Sequence, residues 1–354
     1  MKAVIDEKIP FLHEALEAMG HSVVALPGLK ICADDVVDAD ALFVRTRTHC
    51  GAGLLAGSKV RFIGTATIGY DHIDTAYCAE NGIRWTSAAG CNAGAVLQYV
   101  QSVIYTWSKE RCCPVEGLSL GIVGVGEIGS RVATWAEEAG MRVYRNDPPR
   151  QEKEDGDAFV SLAEIAERCD IITFHPTLKR DGQYPSYHLA DEAFFASLKR
   201  CRLLINASRG PVVDNKALLL ALENGTLSDA VLDVWEGEPD LSLHLLNKVY
   251  IATPHIAGYS AEGKLNATAL VLMAFASFSG YEGELPLPQL PAPVPSMIVA
   301  STFADAMLEI YKPHSDSHVL KDHPESFEEQ RNNYHLRREP SAYKIHLKCD
   351  KMLK

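Results

Sequence analysis

Residues 119–147 constrain the fold more than any other part of this chain. They read SLGIVGVGEIGSRVATWAEEAGMRVYRND, which is an apolar strand, a glycine turn, a helix and a second strand. The turn has the spacing GxGxxG, with glycines at 124, 126 and 129. In this strand–turn–helix context the spacing predicts a parallel βαβ unit that binds a dinucleotide.

The three glycines have separate tasks in such a unit. Gly124 permits the tight turn, Gly126 lets the backbone approach a pyrophosphate, and Gly129 lets the helix pack closely on the strand. Asp147 ends the second strand, where its carboxylate can accept hydrogen bonds from ribose hydroxyls and would repel a 2′-phosphate. NAD is therefore favoured over NADP, although two flanking arginines weaken that preference. The predicted cofactor residues are Gly124, Gly126, Glu127, Ile128, Gly129 and Asp147.

Strand-like and helix-like segments alternate along most of the chain, which is typical of parallel α/β domains. We predict two doubly wound parallel-sheet domains: a flavodoxin-like domain and a Rossmann domain for NAD. The predicted boundaries are 1–92 plus 257–283 for the first domain and 93–256 for the second. The chain crosses between them near 92–110 and 255–262, where we expect a hinge that closes a cleft on substrate.

The C-terminal part differs from the rest. Five prolines fall within residues 286–295, which favours an extended, semi-rigid linker. Beyond it we predict a small α+β module, with a charged helix over 327–339 and a thin core. We expect this domain, residues 284–354, to pack on a second copy of the chain and so form a homodimer.

Composition excludes several classes of protein. Lys+Arg 34 against Asp+Glu 46 gives a net charge of −12, which disfavours binding to nucleic acid or anionic lipid. The longest apolar run, 267–278, is too short for a membrane span, and the first residues do not read as a signal peptide. The nine cysteines, of which Cys349 is the last, include no CxxC pair. They predict buried free thiols in a cytoplasmic protein with no metal site.

Three motifs follow predicted strands of the second domain. They are NASRG (206–210), DVWEGEP (233–239) and TPHIAG (253–258). Since ligands bind at the carboxyl ends of parallel strands, these loops are expected to meet. They would bring together Arg209, Asp233, Glu238 and His255.

In these motifs the chain resembles the D-2-hydroxyacid dehydrogenase family. GTATIGYDHID, GCNAGAV, GIVGVGEIGSR, DPPR, RGPVVDN and LDVWEGEPDL carry the likeness, and it continues through HIAGYSAEGK and FEEQRNNYHLRRE to residue 339. The resemblance implies an NAD-dependent oxidation with Arg209, Glu238 and His255 as catalytic residues. His255 would be the general base, Glu238 would orient its ring, and Arg209 would hold the substrate carboxylate. Asp233 and Gly258 would belong to the cofactor site, Asp233 near the nicotinamide carboxamide.

Parts of the likeness go beyond the general family and indicate a phosphorylated hydroxy acid as substrate. We expect a substrate contact from Arg45, because it opens the best local basic cluster. The resemblance implies contacts from Thr46 and Thr67 as well, and Tyr259 follows just past the catalytic loop. A further hypothesis is that Arg337 or Arg338 reaches the phosphate from the partner subunit. The alternative is that these two arginines lie on a solvated helix face.

Two departures from the family pattern stand out. Gln98 occupies a position where similar enzymes carry a carboxylate, and Pro176 has exchanged places with Thr177. A proline there has no N–H to offer a cofactor.

Two other functions stay open. One is a different dehydrogenase of this family, acting on D-3-phosphoglycerate or a small D-2-hydroxy acid, since the catalytic trio is shared. The other is an NAD(H)-sensing scaffold, because fold alone does not settle function.

Overall fold

A computed structural model describes residues 1–154 and 158–348 of the chain. Cys349 lies outside the described residues. Internal contacts divide the chain into two compact units. The first comprises residues 1–92 and 260–292, and the second comprises residues 93–259 and 293–354.

The strands are short, as is usual for parallel α/β sheets. In chain order they are β1 (Lys2–Asp6), β2 (Ser22–Leu26), β3 (Ala41–Val44), β4 (Phe62–Thr65), β5 (Arg84–Ser87), β6 (Ser119–Val123), β7 (Arg142–Asn146), β8 (Ile171–Phe174), β9 (Leu203–Asn206), β10 (Asp229–Leu232), β11 (Ile251–Ala252), β12 (Met297–Ala300) and β13 (Lys344–Leu347).

Helices connect most of these strands. They are α1 (Leu12–Ala18), α2 (Ala33–Val36), α3 (Ala52–Leu55), α4 (Thr75–Glu80), α5 (Ala93–Glu110), α6 (Glu127–Glu138), α7 (Pro148–Glu154), α8 (Leu162–Arg168), α9 (Glu192–Ser197), α10 (Asn215–Glu223), α11 (Leu243–Lys248), α12 (Ala261–Ser279), α13 (Phe303–Ile310), α14 (Pro313–Asp322) and α15 (Phe327–Asn332). Within the part of the chain that the structure describes, none of them has both the length and the apolar character needed to cross a bilayer.

The first unit is built on a five-stranded parallel sheet in the order β2-β1-β3-β4-β5. This is the flavodoxin-like order, as predicted. Along β1, Ala3 and Ile5 join the apolar cluster that includes α12, while Val4 joins the cluster on the opposite face. Because both faces are covered, the strand is apolar throughout rather than alternating.

The second unit is built on a six-stranded parallel sheet in the order β11-β10-β9-β8-β6-β7. Neighbouring residues of one strand again serve opposite faces, with Leu204 in one core cluster and Ile205 in the other. The glycine turn follows β6, whose two neighbours β7 and β8 lie on opposite sides of it. Ligand sites form at such switch points, so the predicted Rossmann architecture is confirmed.

The C-terminal module packs on its own chain. Met307 and Tyr311 join one core cluster of the second unit, and Leu320 and Phe327 join the other. Its remaining core is small: β12 and β13 form a parallel pair over a cluster of Ile298, Ala300 and Ala306. The thin core of this module is therefore completed by the second unit of its own chain, and its packing on a second copy stays a prediction.

The predicted helix over 327–339 is also shorter than expected. Helix α15 ends at Asn332, and residues 333–336 form no helix. The segment that follows α15 thereby carries Arg337 into the interior of the second unit, where it is 7% exposed.

The cysteines mostly match expectation. Five of the eight described cysteines are buried, while Cys32 and Cys112 are exposed and Cys113 is half-buried. Burial raises the pKa of Cys50 and of Cys169 to about 12. These two thiols are therefore uncharged and unreactive at neutral pH.

Candidate active site

The glycine turn after β6 is open on one side and tightly packed on the other. Gly124 has a φ of 85°, and a Cβ there would lie 2.5 Å from the Pro176 backbone nitrogen. A Cβ at Gly129 would collide with the Gly124 carbonyl oxygen, whereas one at Gly126 would meet no protein atom within 4 Å. The turn can therefore accept a diphosphate at the N-terminus of α6, above Gly126.

Asp147 closes the same turn. Its Oδ2 accepts a hydrogen bond from the Val125 N–H at 2.8 Å. The flanking arginines that weakened the preference for NAD are both paired with carboxylates, Arg145 with Glu137 and Arg150 with Glu154. The Asp147 carboxylate is therefore the group that determines the preference at this position, and it suits a ribose diol better than a 2′-phosphate.

Glu127 is exposed and Ile128 is half-buried, and both lie in the first turn of α6.

His175 and Pro176 form the wall behind Gly124. Burial lowers the pKa of His175 to about 3, so its ring is neutral. The ring Nε2 lies 2.9 Å from the Thr173 hydroxyl, while the buried Nδ1 has no hydrogen-bond partner. Pro176 has no N–H to direct at the turn, as its sequence position implied.

Three strand ends bring the catalytic candidates of the second unit side by side. The Asp233 N–H donates to the Asn206 carbonyl at 3.0 Å, and the His255 N–H donates to the Asp233 carbonyl at 2.8 Å. These bonds continue the β9–β10–β11 ladder past its ends. The loop at Gly210 lies so close to the Trp235 carbonyl that no Cβ fits there. The three motifs therefore meet at one sheet edge.

His255 and Glu238 are directly paired. His255 Nδ1 lies 2.8 Å from Glu238 Oε2, and Glu238 Oε1 accepts from the Trp235 N–H at 2.8 Å. Burial acts to raise the pKa of Glu238, but the bonds to His255 and Trp235 outweigh it and the pKa is lowered. Glu238 is thus a carboxylate that accepts from Nδ1–H, which leaves Nε2 as the ring nitrogen able to take a proton.

Asp233 lies beneath this pair and is 1% exposed. Its carboxylate accepts from the Thr253 hydroxyl at 2.6 Å and from the N–H groups of Ile256 and Ala257 at 2.8 and 2.9 Å. Burial raises its pKa, while the charge of His255 and these hydrogen bonds act in the opposite direction. Asp233 therefore anchors the His255 loop, a task that its sequence motif did not reveal.

Arg209 lies in the neighbouring loop and is half-buried. The loop is held by a hydrogen bond from Asn206 Nδ2 to the Arg209 carbonyl at 3.0 Å. One guanidinium nitrogen of Arg209 donates to the Ser208 carbonyl at 2.8 Å. A planar fork on a fixed loop is suited to a carboxylate ligand.

The C-terminal module adds residues that the sequence did not single out. The Tyr259 and Tyr334 ring centroids are 6.1 Å apart, and Arg331 hydrogen-bonds to Tyr259. The positive charge of Arg331 also contributes to the lowered pKa of Glu238. No sequence pattern marks Arg331 apart from its place in FEEQRNNYHLRRE.

The hypothesis that Arg337 reaches a substrate phosphate is wrong. Its Nε donates to Gln98 Oε1 at 3.0 Å, and its other two nitrogens donate to backbone carbonyls of the same unit. Gln98 also donates to the Arg338 carbonyl at 3.0 Å, so an amide at position 98 serves both as acceptor and as donor. Arg338 is half-buried, and its substrate contact stays a prediction.

The remaining predicted substrate residues belong to the first unit, at the carboxyl ends of β3 and β4. Arg45 Nε lies 2.9 Å from Oδ2 of the fully buried Asp6. Thr46 is exposed, and the Thr67 hydroxyl donates to the Gly69 carbonyl at 3.0 Å. Part of the Arg45 guanidinium is therefore paired with Asp6. The basic cluster in the sequence did not indicate this ion pair.

One cluster with the spacing of a metal site occurs among the described residues: His188, Asp214 and Glu236. His188 Nε2 lies 2.7 Å from Glu236 Oε1, and Glu236 Oε2 accepts from the Asn215 N–H at 2.9 Å. Asp214 caps α10. These contacts tie the DVWEGEP loop to the start of α10.

Comparison with known proteins identifies the family. Residues 93–257 match the model for the D-isomer specific 2-hydroxyacid dehydrogenase, NAD binding domain. Erythronate-4-phosphate dehydrogenase of Bacteroides fragilis is 52% identical over 345 residues, which cover 98% of this chain and 99% of that protein. The enzyme of that name from Edwardsiella ictaluri is 44% identical and covers 98% of this chain and 94% of its own length.

Solved structures agree in fold. A glyoxylate reductase from Paecilomyes thermophila has a TM-score of 0.66 and 26% identity, covering 81% of this chain and 97% of its own. D-lactate dehydrogenase from Aquifex aeolicus, complexed with NAD and lactic acid, has a TM-score of 0.62 and 25% identity, covering 79% and 96%. The chain belongs to the D-isomer specific 2-hydroxyacid dehydrogenase family, and its second unit contains the NAD-binding domain.

Proposed function

We propose that this chain oxidises the 2-hydroxyl of 4-phospho-D-erythronate with NAD. The product is (R)-3-hydroxy-2-oxo-4-phosphooxybutanoate, and the step belongs to pyridoxal 5′-phosphate biosynthesis. The observation that carries the proposal is the extent of the likeness to erythronate-4-phosphate dehydrogenases. Those relatives match 98% of this chain, whereas the solved glyoxylate reductase and D-lactate dehydrogenase leave about a fifth of it uncovered.

His255 is the general base in this reaction. With Nδ1–H donated to Glu238, Nε2 takes the proton of the substrate hydroxyl. The ring becomes positively charged at that moment, and the adjacent carboxylate stabilises the charge. NAD, when bound, would accept the hydride from the carbon that bears this hydroxyl, so that the alcohol becomes a ketone.

Arg209 binds the substrate carboxylate. Its guanidinium offers two parallel N–H groups, and its loop is fixed by Asn206. Because the bound substrate cannot rotate, the hydroxyl stays directed at His255. Gly124, Gly126, Glu127, Ile128, Gly129, Asp147, Asp233 and Gly258 form the proposed cofactor site.

The phosphate end is assigned to Arg45, Thr46, Thr67, Tyr259 and Arg338. Tyr259 is supported by its position four residues after His255 and by its hydrogen bond to Arg331. With a net charge of −12, the protein needs such local basic groups to attract a dianionic phosphate.

We also propose a cytoplasmic homodimer. The outer face of β12 exposes Met297 (56%) and Val299 (41%), and the neighbouring positions of β13 on that face are the exposed Lys344 and His346. The two exposed apolar side chains of β12 offer a surface for association with a second copy.

The decisive assay follows the absorbance of reduced nicotinamide with NAD and either 4-phospho-D-erythronate or D-3-phosphoglycerate. A parallel reaction contains a 2-oxo acid, so that turnover on tightly held cofactor is also detected. We expect turnover of the erythronate, little on the glycerate, and loss of both in His255→Asn. Preference for D-3-phosphoglycerate would show that the protein is a different dehydrogenase of the same family. Inactivity on both substrates would favour an NAD(H)-sensing role.

A further inference from the structure

His255 has an unusual backbone conformation. Its φ is 58°, in the left-handed region that non-glycine residues rarely occupy. Such a conformation persists only where the surrounding contacts determine it fully. The structure therefore has to hold the loop from Thr253 to Ala257 in place, and two side chains do so, one through backbone N–H groups and the other through backbone carbonyls.

The first is Asp233, which binds the N–H groups of Ile256 and Ala257. The second is Arg337. Its NH1 donates to the Ile256 carbonyl at 2.9 Å, and its NH2 donates to the Ala257 carbonyl and, at 3.0 Å, to the Ala95 carbonyl. The peptide group between Ile256 and Ala257 is thus fixed through both its carbonyl and its N–H, the peptide before it through its N–H, and the peptide after it through its carbonyl.

We propose that Arg337 is a positioning residue for His255, through which the C-terminal module completes the catalytic loop of its own chain. The proposal rests on the function proposed above for His255. Arg337 touches neither substrate nor cofactor and acts by binding the Ile256 and Ala257 carbonyls of the segment that follows the base.

The surroundings of Arg337 are built for this residue type. Nε is bound by Gln98, and the guanidinium carbon lies 4.6 Å from the centre of the Tyr311 ring. Asp316 accepts hydrogen bonds from the Tyr311 and Tyr334 hydroxyls at 2.9 and 3.0 Å. Tyr311 thus contacts both the Asp316 carboxylate and the Arg337 guanidinium. A buried cation is costly unless every donor is satisfied, and here all three nitrogens donate.

The experiment compares Arg337→Met and Arg337→Lys with Lys321→Met. Lys321 is the matched control because it is another cation of the C-terminal module that donates to backbone carbonyls, those of Val249 at 2.6 Å and Tyr250 at 3.5 Å. Those carbonyls precede β11 and do not belong to the His255 loop. The oligomeric state of each variant is measured alongside, so that a change in association is recognised.

We expect R337M to lower kcat on the order of 10²-fold, because small displacements of a reacting group have effects of that size. KM for NAD should change by less than about twofold. R337K should recover part of the activity, since an ammonium can still donate to the Ile256 and Ala257 carbonyls. K321M should lower the melting temperature and leave kcat unchanged.

Hydrogen exchange provides a readout that does not depend on turnover. R337M should speed exchange of the Ile256 and Ala257 amides, and K321M should not. Equal kcat in wild type and R337M, or unchanged exchange at these amides, would overturn the proposal.

If R337M does not fold, Gln98→Leu leaves Arg337 in place but removes its Nε acceptor, together with the Gln98 hydrogen bond to the Arg338 carbonyl, and is measured in the same way. If wild type fails to oxidise 4-phospho-D-erythronate, the proposed function falls, while the exchange data still decide whether Arg337 holds the loop.

Discussion

At the residue scale, two carboxylates near His255 have opposite environments. The pKa of Glu238 is lowered by its bonds to His255 and Trp235, whereas burial raises that of Asp233. Because the two pKa values are shifted in opposite directions, these two carboxyl groups can have different tasks. In the proposed mechanism Glu238 is the ionised partner that stabilises a charged ring, whereas Asp233 is the buried acceptor that fixes the loop.

The Glu238 assignment predicts the behaviour of Glu238→Gln. An amide cannot stabilise the protonated ring, so we expect kcat to fall on the order of 10²-fold or more. Glu236→Gln is the matched control, because Glu236 pairs with His188 instead. A kcat equal to that of E236Q would show that the Glu238 carboxylate is not needed.

The same variant changes the dependence of stability on pH. Since folding lowers the pKa of Glu238, its stabilising contribution is present above the unfolded value of about 4.3 and is lost as pH falls through the folded value. Urea unfolding should therefore show E238Q less stable than wild type at pH 7, with a smaller difference below pH 4.

Individual residues were predictable where a motif fixes their place at a strand end. Arg209, Glu238 and His255 each follow a strand in a recognisable order, so their meeting could be predicted. Arg337 could not be placed, because its partner Gln98 is 239 residues away and nothing in RRE indicates burial. Charged stretches are ordinarily solvated, and only the tertiary contacts reveal the exception.

At the element scale, the β6–α6–β7 unit was the most predictable part of the fold. Its apolar strand, glycine spacing and helix all favour the same structure. A segment can be predicted from sequence when its local conformational preferences agree with the overall fold in this way. The segment VYIATPH (249–255) favours a strand by its sequence, but β11 comprises only Ile251–Ala252. Pro254 has no N–H for a ladder, and the segment beyond it is held by Asp233 and Arg337 instead.

The glycine turn predicts a separation of stability from cofactor binding. In Gly129→Ala the added Cβ meets the Gly124 carbonyl, so α6 must shift, at a cost of about 1–3 kcal/mol in the free energy of unfolding. In Gly126→Ala the Cβ enters open space, so stability should be kept while the Kd for NAD rises.

Denaturant unfolding and NAD titration of the two variants test this separation. A Gly126→Ala variant that binds NAD like wild type would contradict the assignment of the diphosphate to the space above that residue.

At the scale of the whole molecule, the C-terminal module raises two separate questions. One is how it supports the His255 loop of its own chain, which involves contacts within one protomer. The other is whether its exposed sheet face joins two protomers. The sequence suggested only the question of association. A thin core indicates that the module packs on another surface, but it does not indicate which surface that is.

Association through that face can be tested with Val299→Glu. Val299 is 41% exposed, so the substitution should leave the protomer folded, as far-ultraviolet circular dichroism would show. In a two-fold dimer each substitution occurs twice, and charges near the axis repel each other. We expect the dimer dissociation constant to rise on the order of 100-fold, since desolvating unpaired charges costs several kcal/mol. Leu220→Glu, an equally apolar exposed site on α10, is the control.

Activity of the dissociated form then separates contacts within a protomer from contacts across the dimer. Because Arg337 acts within one chain, V299E should keep the kcat of wild type at saturating substrate. If Arg338 reaches the phosphate of the partner subunit's substrate, KM for 4-phospho-D-erythronate should rise about tenfold or more, the usual scale for losing a charged hydrogen bond. The proposed interface would be refuted by a monomeric wild type in analytical ultracentrifugation, or by a V299E dimer as tight as that of wild type. An unchanged KM for 4-phospho-D-erythronate in monomeric V299E would show that Arg338 does not contact the partner subunit's substrate.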